Sequence, residues 1–426
     1  MRFFALGAAA TLAGLGQRIA RLIPKVQDRA DRDTLRDLLF MGGGLFVLTL
    51  LTHGWTARWD GPFPRDRTTL VVGRDFLNFW MYGRAAFTPD PSRFYDPAIY
   101  NDALSALLGP GYPGQNVPNP PNALVMMAPF GLLPYLTALA CWTGIGLVAF
   151  YIGCRRAFPD ARALLIVAVS PAALMCLISG QSSFLTAAAL FTSLALLDRR
   201  PALAGLLIGL LTIKPQLGVL FPVMLIASGR WRVIAYASLT AAALFAASVA
   251  IGGLHGWYDY LTTGLQTMTE VLRDPRGIAV PFHASVFMNF RGVLGDRIAE
   301  AIQTITALAA AGAVFAVFRY RGNGSPALLR ALFLASTVAA SPYMGIYDVL
   351  PLTCAAVALL ATGALDDAGR RLAQLVFWLP ALQLLFGNVQ LPGPGFIAPA
   401  FAAYLGWQLL APARQANLDQ PRGAAG

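Results

Sequence analysis

An all-α, polytopic membrane fold of about eleven or twelve transmembrane helices is what this sequence predicts, and three observations carry that prediction. Of 426 residues, 57% are apolar and 12% are charged, about half the charged fraction of an ordinary soluble domain. A soluble chain of this length has too little polar surface to cover so many apolar side chains, whereas a bilayer solvates them. The net charge of +11 is also positional. Arginines cluster in alternate short loops, at Arg155 and Arg156, Arg199 and Arg200, Arg230 and Arg232, Arg319 and Arg321, and Arg370 and Arg371. That is the bias of cytoplasmic loops. No basic stretch is interleaved with aromatic residues, so nucleic acid is not an expected partner.

The elements follow in chain order. Residues 1–36 form a cytoplasmic or interfacial segment. Its short apolar run, Phe3–Gly16, reads as a helix lying on the inner leaflet or, alternatively, as a signal peptide. Asp31-Arg-Asp33 falls in this basic segment and reads as a solvated charge run. A transmembrane domain over 37–412 begins with the span Leu38–His53. A long, nearly neutral exported loop over 54–120 comes next, then a short helix at Asn122–Phe130 and a second span ending near Gly153. Spans at Ala163–Ile178 and Ser183–Leu197 are joined outside by Ser179-Gly-Gln-Ser-Ser183.

Two pieces then follow, Ala202–Ile213 and Leu217–Ala227, split by Lys214-Pro215-Gln216. At ~1.5 Å per residue neither crosses a ~30 Å hydrocarbon core. With arginines at both outer ends, they form a re-entrant hairpin or two short helices with Lys214 at the tip. A span at Val233–Ile251 leads to a second exported loop, Gly252–Asp296. Five further spans follow at Ile298–Phe318, Leu328–Ala340, Val349–Thr362, Leu372–Phe386 and Phe396–Leu410, and residues 413–426 are a cytoplasmic tail. This topology puts His53, His255, His283, Asp75, Gln181 and Asp348 on the exported side. Cys141, Cys154, Cys176 and Cys354 sit in or beside apolar runs without metal-ligand spacing and read as small buried hydrophobes.

The candidate chemistry starts at Val72-Gly-Arg-Asp75, followed by Phe76, Phe79, Trp80 and Tyr82 in a helix-like run expected to lie on the outer leaflet. A carboxylate with apolar neighbours becomes a stronger base. The alternative is that Asp75 caps the helix behind it. Lys214 is one of two lysines, and an ionisable group at membrane depth marks a site unless it snorkels to the interface. Asp348, closing Ser341-Pro-Tyr-Met-Gly-Ile-Tyr-Asp348, either takes part in catalysis or caps the next span. Arg291 and Lys214 are the candidate cations for a donor phosphate, and Arg291, with its guanidinium fork near the outer interface, is preferred unless the hairpin tip reaches that level. Gln181, Tyr347, Tyr82 and His283 are the candidate substrate contacts. Scattered histidines and the absence of a nucleotide or metalloprotease motif predict neither metal nor cofactor.

In order along the chain, Asp75 through Tyr82, Phe94-Tyr-Asp96, Ser179-Gly-Gln181 and Gly209 through Lys214-Pro215 resemble glycosyltransferase family 87, within the GT-C superfamily. Arg230-Trp-Arg232, Ser285 to Arg291 and Ser341-Pro-Tyr through Tyr347-Asp348 continue the resemblance. It implies a GT-C architecture in a bacterial inner membrane, a polyprenyl-phosphate sugar donor, and a glycolipid or glycan acceptor. It further implies an extracytoplasmic site, inversion at the anomeric carbon, and Asp75 as general base. Some members carry a histidine pair where this chain has Tyr347-Asp348. A transporter of lipid-linked sugar is the alternative, favoured by the break at Lys214 and disfavoured by the lack of an internal repeat.

Overall fold

The computed structural model describes residues 22–117, 119–320 and 324–411, and the expected features at Phe3–Gly16 and 413–426 lie outside them. The described residues form helices and turns, with isolated bridges in place of any named strand. Four helices are long and apolar enough to cross a membrane: Arg29–Thr56, Tyr135–Ala157, Trp231–Leu272 and Asp296–Tyr320. Five shorter apolar helices accompany them: Ser183–Leu196, Pro201–Ile213, Pro215–Ala227, Pro326–Ala340 and Leu350–Thr362. The all-α polytopic class is therefore met.

Two of the short helices lie innermost. Every residue from Leu350 to Ala361 is buried, and so is every residue from Ala331 to the end of Pro326–Ala340. A helix that is apolar and buried on all sides belongs to the centre of a bundle. Its ends need not reach the water, because broken backbone at depth is tolerated when protein surrounds it. The longer helices enclose this centre and turn large side chains outward, among them Leu48, Leu51, Leu239, Ile305 and Leu308.

Several boundaries differ from the expected ones for identifiable reasons. The span expected at Ala163–Ile178 is two helices, Ala163–Ala168 and Pro171–Ser179. Pro171 cannot continue a helix from its N-terminal side, and Ser170 caps the new one by accepting from the Ala173 amide at 3.3 Å. The span expected to end at Ile251 instead runs on from Trp231 through a π-turn at Tyr260–Gly264 to Leu272, with its bend taken up at Gly253. Much of the segment expected to be the second loop, 252–296, is thus helical.

Asp31 is a correction of a different kind. It is fully buried and receives Arg370 Nε at 2.7 Å, while Asp28 accepts from Arg370 Nη2 at 3.0 Å. It joins the first long helix to Asp367–Asn388 rather than facing solvent. Arg32 is exposed and half-buried Asp33 pairs with Arg29 and Arg36, so these two keep the surface character expected of the run.

A second core fills the region after the first long helix. The helices Phe76–Ala85, Pro97–Leu108 and Ala123–Gly131 pack Phe76, Phe79, Trp80, Tyr82, Tyr95, Tyr100 and Trp142 together. Phe76–Ala85 is not an amphipathic helix on the leaflet, because eight of its ten residues are buried. It lies against Ala123–Gly131 backbone to backbone. A Cβ on Gly83 would stand 2.2 Å from the Met127 carbonyl oxygen, and one on Gly131 would stand 2.3 Å from the Gly83 carbonyl carbon.

The two short helices expected around Lys214 are present, and the chain turns back between them. Pro201–Leu210 and Phe221–Ala227 are the arms, short 3-10 turns flank the tip, and Lys214 occupies the break. Arg230 and Asp198 pair at 2.9 Å across the base.

Candidate active site

Three turns meet at one end of the bundle, and each contributes one polar side chain for a local reason. The first is Gly73-Arg74-Asp75. The second, Gly180-Gln181-Ser182, follows Pro171–Ser179, which ends with Gly180 in the left-handed conformation. Asp75 N donates to Ser179 O at 3.0 Å, so the two turns are joined through the backbone. Their closeness requires glycine, since a Cβ on Gly180 would lie 2.6 Å from Phe76 Cβ and 3.1 Å from Gly73 O. The third turn is Ser341–Asp348. It pairs with 282–284 through Ala284 N to Met344 O at 2.8 Å and Ile346 N to Phe282 O at 3.0 Å.

The side chains from these turns and from the hairpin tip form one continuous hydrogen-bonded chain. Gln181 Nε2 donates to Asp75 Oδ2 at 2.8 Å, and Lys214 Nζ donates to Gln181 Oε1 at 2.9 Å. Lys214 Nζ also donates to Asp348 Oδ1 at 2.9 Å, and Ser183 Oγ donates to the same oxygen at 2.9 Å. Tyr347 presents its ring to Lys214, with Nζ 5.0 Å from the centroid. Lys214 and Asp348 are buried, whereas Asp75 and Tyr347 keep part of their surface open.

Both capping alternatives are excluded by what the carboxylates do. Asp75 precedes Phe76–Ala85 but makes no side-chain cap bond. The helix after Asp348 has Val349 at its cap position and no side-chain cap either. Lys214 does not snorkel; its ammonium is turned inward.

Burial pushes the Asp75 carboxyl above its ordinary value, more than the Gln181 hydrogen bond and the charges of Lys214 and Arg74 draw it down. Asp348 adds a smaller upward push. His283 is shifted downward, chiefly by burial, against the opposing effects of the Ala279 carbonyl and Asp348. Its Nδ1 lies 2.8 Å from Ala279 O, and its ring packs on Tyr343 with centroids 4.7 Å apart. A neutral imidazole in this setting carries its proton on Nδ1 and leaves Nε2 as an acceptor.

Two expected site residues lie elsewhere. Tyr82 is buried in the aromatic core, its hydroxyl 2.5 Å from that of Tyr95. Arg291 donates Nε to Asp296 Oδ1 at 3.0 Å, Nη2 to Arg273 O at 2.7 Å and Nη1 to Asp274 O at 3.2 Å, and it also bonds Leu272 O. Its fork ties off the end of Leu265–Leu272.

Three residues gain importance that sequence reasoning did not single out. Ser183 holds Asp348, and Tyr343 backs His283. Arg74, next to Asp75, is anchored to Asp66 Oδ2 at 2.7 Å. The visible signals were the serine-rich Ser179–Ser183 turn and the Arg-Asp pair at 74–75. Among the described residues no three His, Cys, Asp or Glu side chains are grouped to hold a metal ion.

No curated protein and no solved structure matches the chain. The family model for glycosyltransferase family 87 does match, over residues 118–342, which include Gln181, Lys214 and His283. The match spans more than half the chain and runs through the hairpin tip and the Gln181 turn that build the polar cluster, so this protein belongs to glycosyltransferase family 87 and is a membrane glycosyltransferase.

Proposed function

We propose that the protein transfers one sugar from a polyprenyl-phosphate donor to a hydroxyl of a glycolipid or cell-envelope glycan, with inversion, on the extracytoplasmic face of a bacterial inner membrane. Asp75 is the general base. The difficult event is removal of the acceptor hydroxyl proton as its oxygen attacks the anomeric carbon, and a single positioned carboxylate is suited to it. The new bond forms between that oxygen and the anomeric carbon while the bond to the lipid phosphate breaks. The electron pair leaves with the phosphate, and the proton goes to Asp75.

Lipid phosphate is a competent leaving group once a cation meets its charge. Lys214 is the better supported of the two cations proposed for that role. Two of its three N–H groups serve Gln181 and Asp348, which leaves one for a phosphate oxygen. Arg291 has most of its donors committed to its own loop. Asp348 balances the lysine when no donor is bound. His283 and Tyr347 stand beside the cluster as contacts for the sugar, and Gln181 connects base and cation.

The observation that carries this proposal is the Asp75 carboxylate: half-buried, free of any capping duty, and connected through one amide to a buried lysine. The test is to incubate purified protein with a panel of polyprenyl-phosphate sugars and extracted envelope lipids, then detect products by mass spectrometry. Asp75→Asn is expected to remain folded and to lose at least about 100-fold in transfer rate. Transfer by that variant at the wild-type rate would refute the assignment.

A further inference from the structure

We infer that Gln181 is a positioning residue that presents one particular oxygen of Asp75, Oδ1, to the acceptor, and that Lys214 sets the sense of the Gln181 amide that does so. The inference rests on Asp75 being the base and goes further by naming which atom reacts and what aims it.

A glutamine side chain has one accepting end and one donating end, and its neighbours decide which way round it sits. Here two neighbours that only donate face the same atom. Lys214 Nζ lies 2.9 Å and the Ser182 amide 3.4 Å from Gln181 Oε1. Neither an ammonium nor a backbone N–H accepts a hydrogen bond, so the carbonyl end must point at them. Rotating the amide by half a turn would set its NH₂ against two donors and its oxygen against a carboxylate.

With the carbonyl end settled, Nε2 has to face Asp75, where it meets Oδ2 at 2.8 Å. The backbone of the same residue is held independently: Gln181 N donates to Cys176 O at 3.0 Å, and Cys176 Sγ donates to Gln181 O at 3.3 Å. The glutamine therefore approaches Asp75 from one direction in one orientation.

The two Asp75 oxygens are made unequal by this arrangement. Oδ2 is occupied as an acceptor, whereas Oδ1 makes no hydrogen bond among the described residues, and the side chain keeps part of its surface open. A carboxylate with one oxygen anchored has lost rotation about its terminal torsion. Its free oxygen is then aimed before substrate arrives, which is the positional advantage a base needs. Lys214 thus acts on Asp75 at one remove, through the polarity of Gln181, in addition to facing the leaving phosphate.

A substrate-contact role for Gln181, the expectation from sequence, makes a different kinetic prediction. Losing a sugar contact raises KM for the donor or acceptor and leaves the pH profile in place. Losing the hydrogen bond to Asp75 removes a donor that favours its ionised form and lets the carboxylate turn.

The test compares Gln181→Met, which keeps length but not polarity, with Gln181→Glu, which sets a carboxylate against Oδ2. Assays use the full-length detergent-solubilised protein and whichever polyprenyl-phosphate sugar the panel identifies. For Gln181→Met, kcat is expected to fall about 10- to 100-fold with both KM values within about threefold. The acid limb of kcat/KM should move up by about one to two pH units. Gln181→Glu should move that limb at least as far, because two carboxylates at hydrogen-bond distance retain a proton between them. It also serves as the readout if the methionine variant does not fold.

An increase in KM of about tenfold or more with the limb unmoved would overturn the inference, as would no change in either variant. Asp75→Asn separates the two levels. If that variant retains transfer, the general-base assignment fails; if it is inactive while the Gln181 variants change only KM, the positioning role alone fails.

Discussion

Asp75 and Lys214 are both ionisable groups withdrawn from water, but they are stabilised differently, and their variants should differ accordingly. Burial raises the Asp75 carboxyl above its ordinary value, and catalysis needs its unprotonated form. The rate should therefore fall as pH drops through that raised value, so the acid limb of kcat/KM lies above the ordinary aspartate range. A pH–rate profile of the wild-type enzyme checks this. The same shift has a sign for stability. A carboxyl whose folded value exceeds its unfolded value favours its neutral form in the fold, so ionisation above that value works against folding. Asp75→Asn should then unfold at an equal or higher temperature than wild type at neutral pH, with the two converging in acid. Lys214 is held by its partners. Lys214→Met leaves buried Asp348 without its cation and should cost about 3–5 kcal/mol, while adding Asp348→Asn should recover much of that loss in thermal unfolding.

At the scale of the element, glycine contact and proline placement do what hydropathy cannot. The Phe76–Ala85 helix carries Asp75 at its start and rests on Ala123–Gly131 through Gly83 and Gly131. Gly83→Ala would drive a methyl into the Met127 carbonyl, and the helices would have to separate. Such overpacking costs about 1–3 kcal/mol or more. A lower unfolding temperature together with reduced kcat would show that this contact sets the position of the base. The sequence made the helix at 76–85 legible, but its aromatic residues suggested a leaflet surface. Phe76, Phe79 and Trp80 instead face Tyr135 and Trp142, because a second layer of protein covers them. The broken pair of short helices at Lys214 was legible, since two runs too short to cross and a Lys-Pro break admit few alternatives. The split at Ser170-Pro171 was visible as a proline within an apolar run and was outweighed there by hydropathy.

Across the whole molecule, the Asp75–Gln181–Lys214–Asp348 cluster gathers at the turns, while a separate ion cluster secures another part of the bundle. Asp31, Asp28 and Asp367 converge on Arg370, joining the first long helix to Asp367–Asn388. Arg370→Met strands a fully buried aspartate and should lower stability by about 3–5 kcal/mol. Its effect on KM should be small, because none of these groups touches the Asp75 cluster; thermal unfolding and steady-state kinetics on one preparation separate the two. Family membership decides between sugar transfer and lipid-linked-sugar transport in favour of transfer.

Hydropathy and the spacing of arginines are properties of neighbouring residues, and so the chain alone determined its membrane class and the break at Lys214, and it offered Asp75 as a candidate acid. Tertiary structure decided which partners that acid has. The bonds linking Asp75 to Gln181, Lys214 to Asp348 and Ser183 to Asp348 join residues 106, 134 and 165 positions apart. In one dimension Arg291 is the preferred phosphate cation over Lys214; the fold turns the first into its own loop and brings the second to the cluster around the acid. Asp31 likewise reads as a surface charge until Arg370, distant in sequence, closes over it. Pairings of this kind depend on how separate helices pack, and local composition carries no record of that.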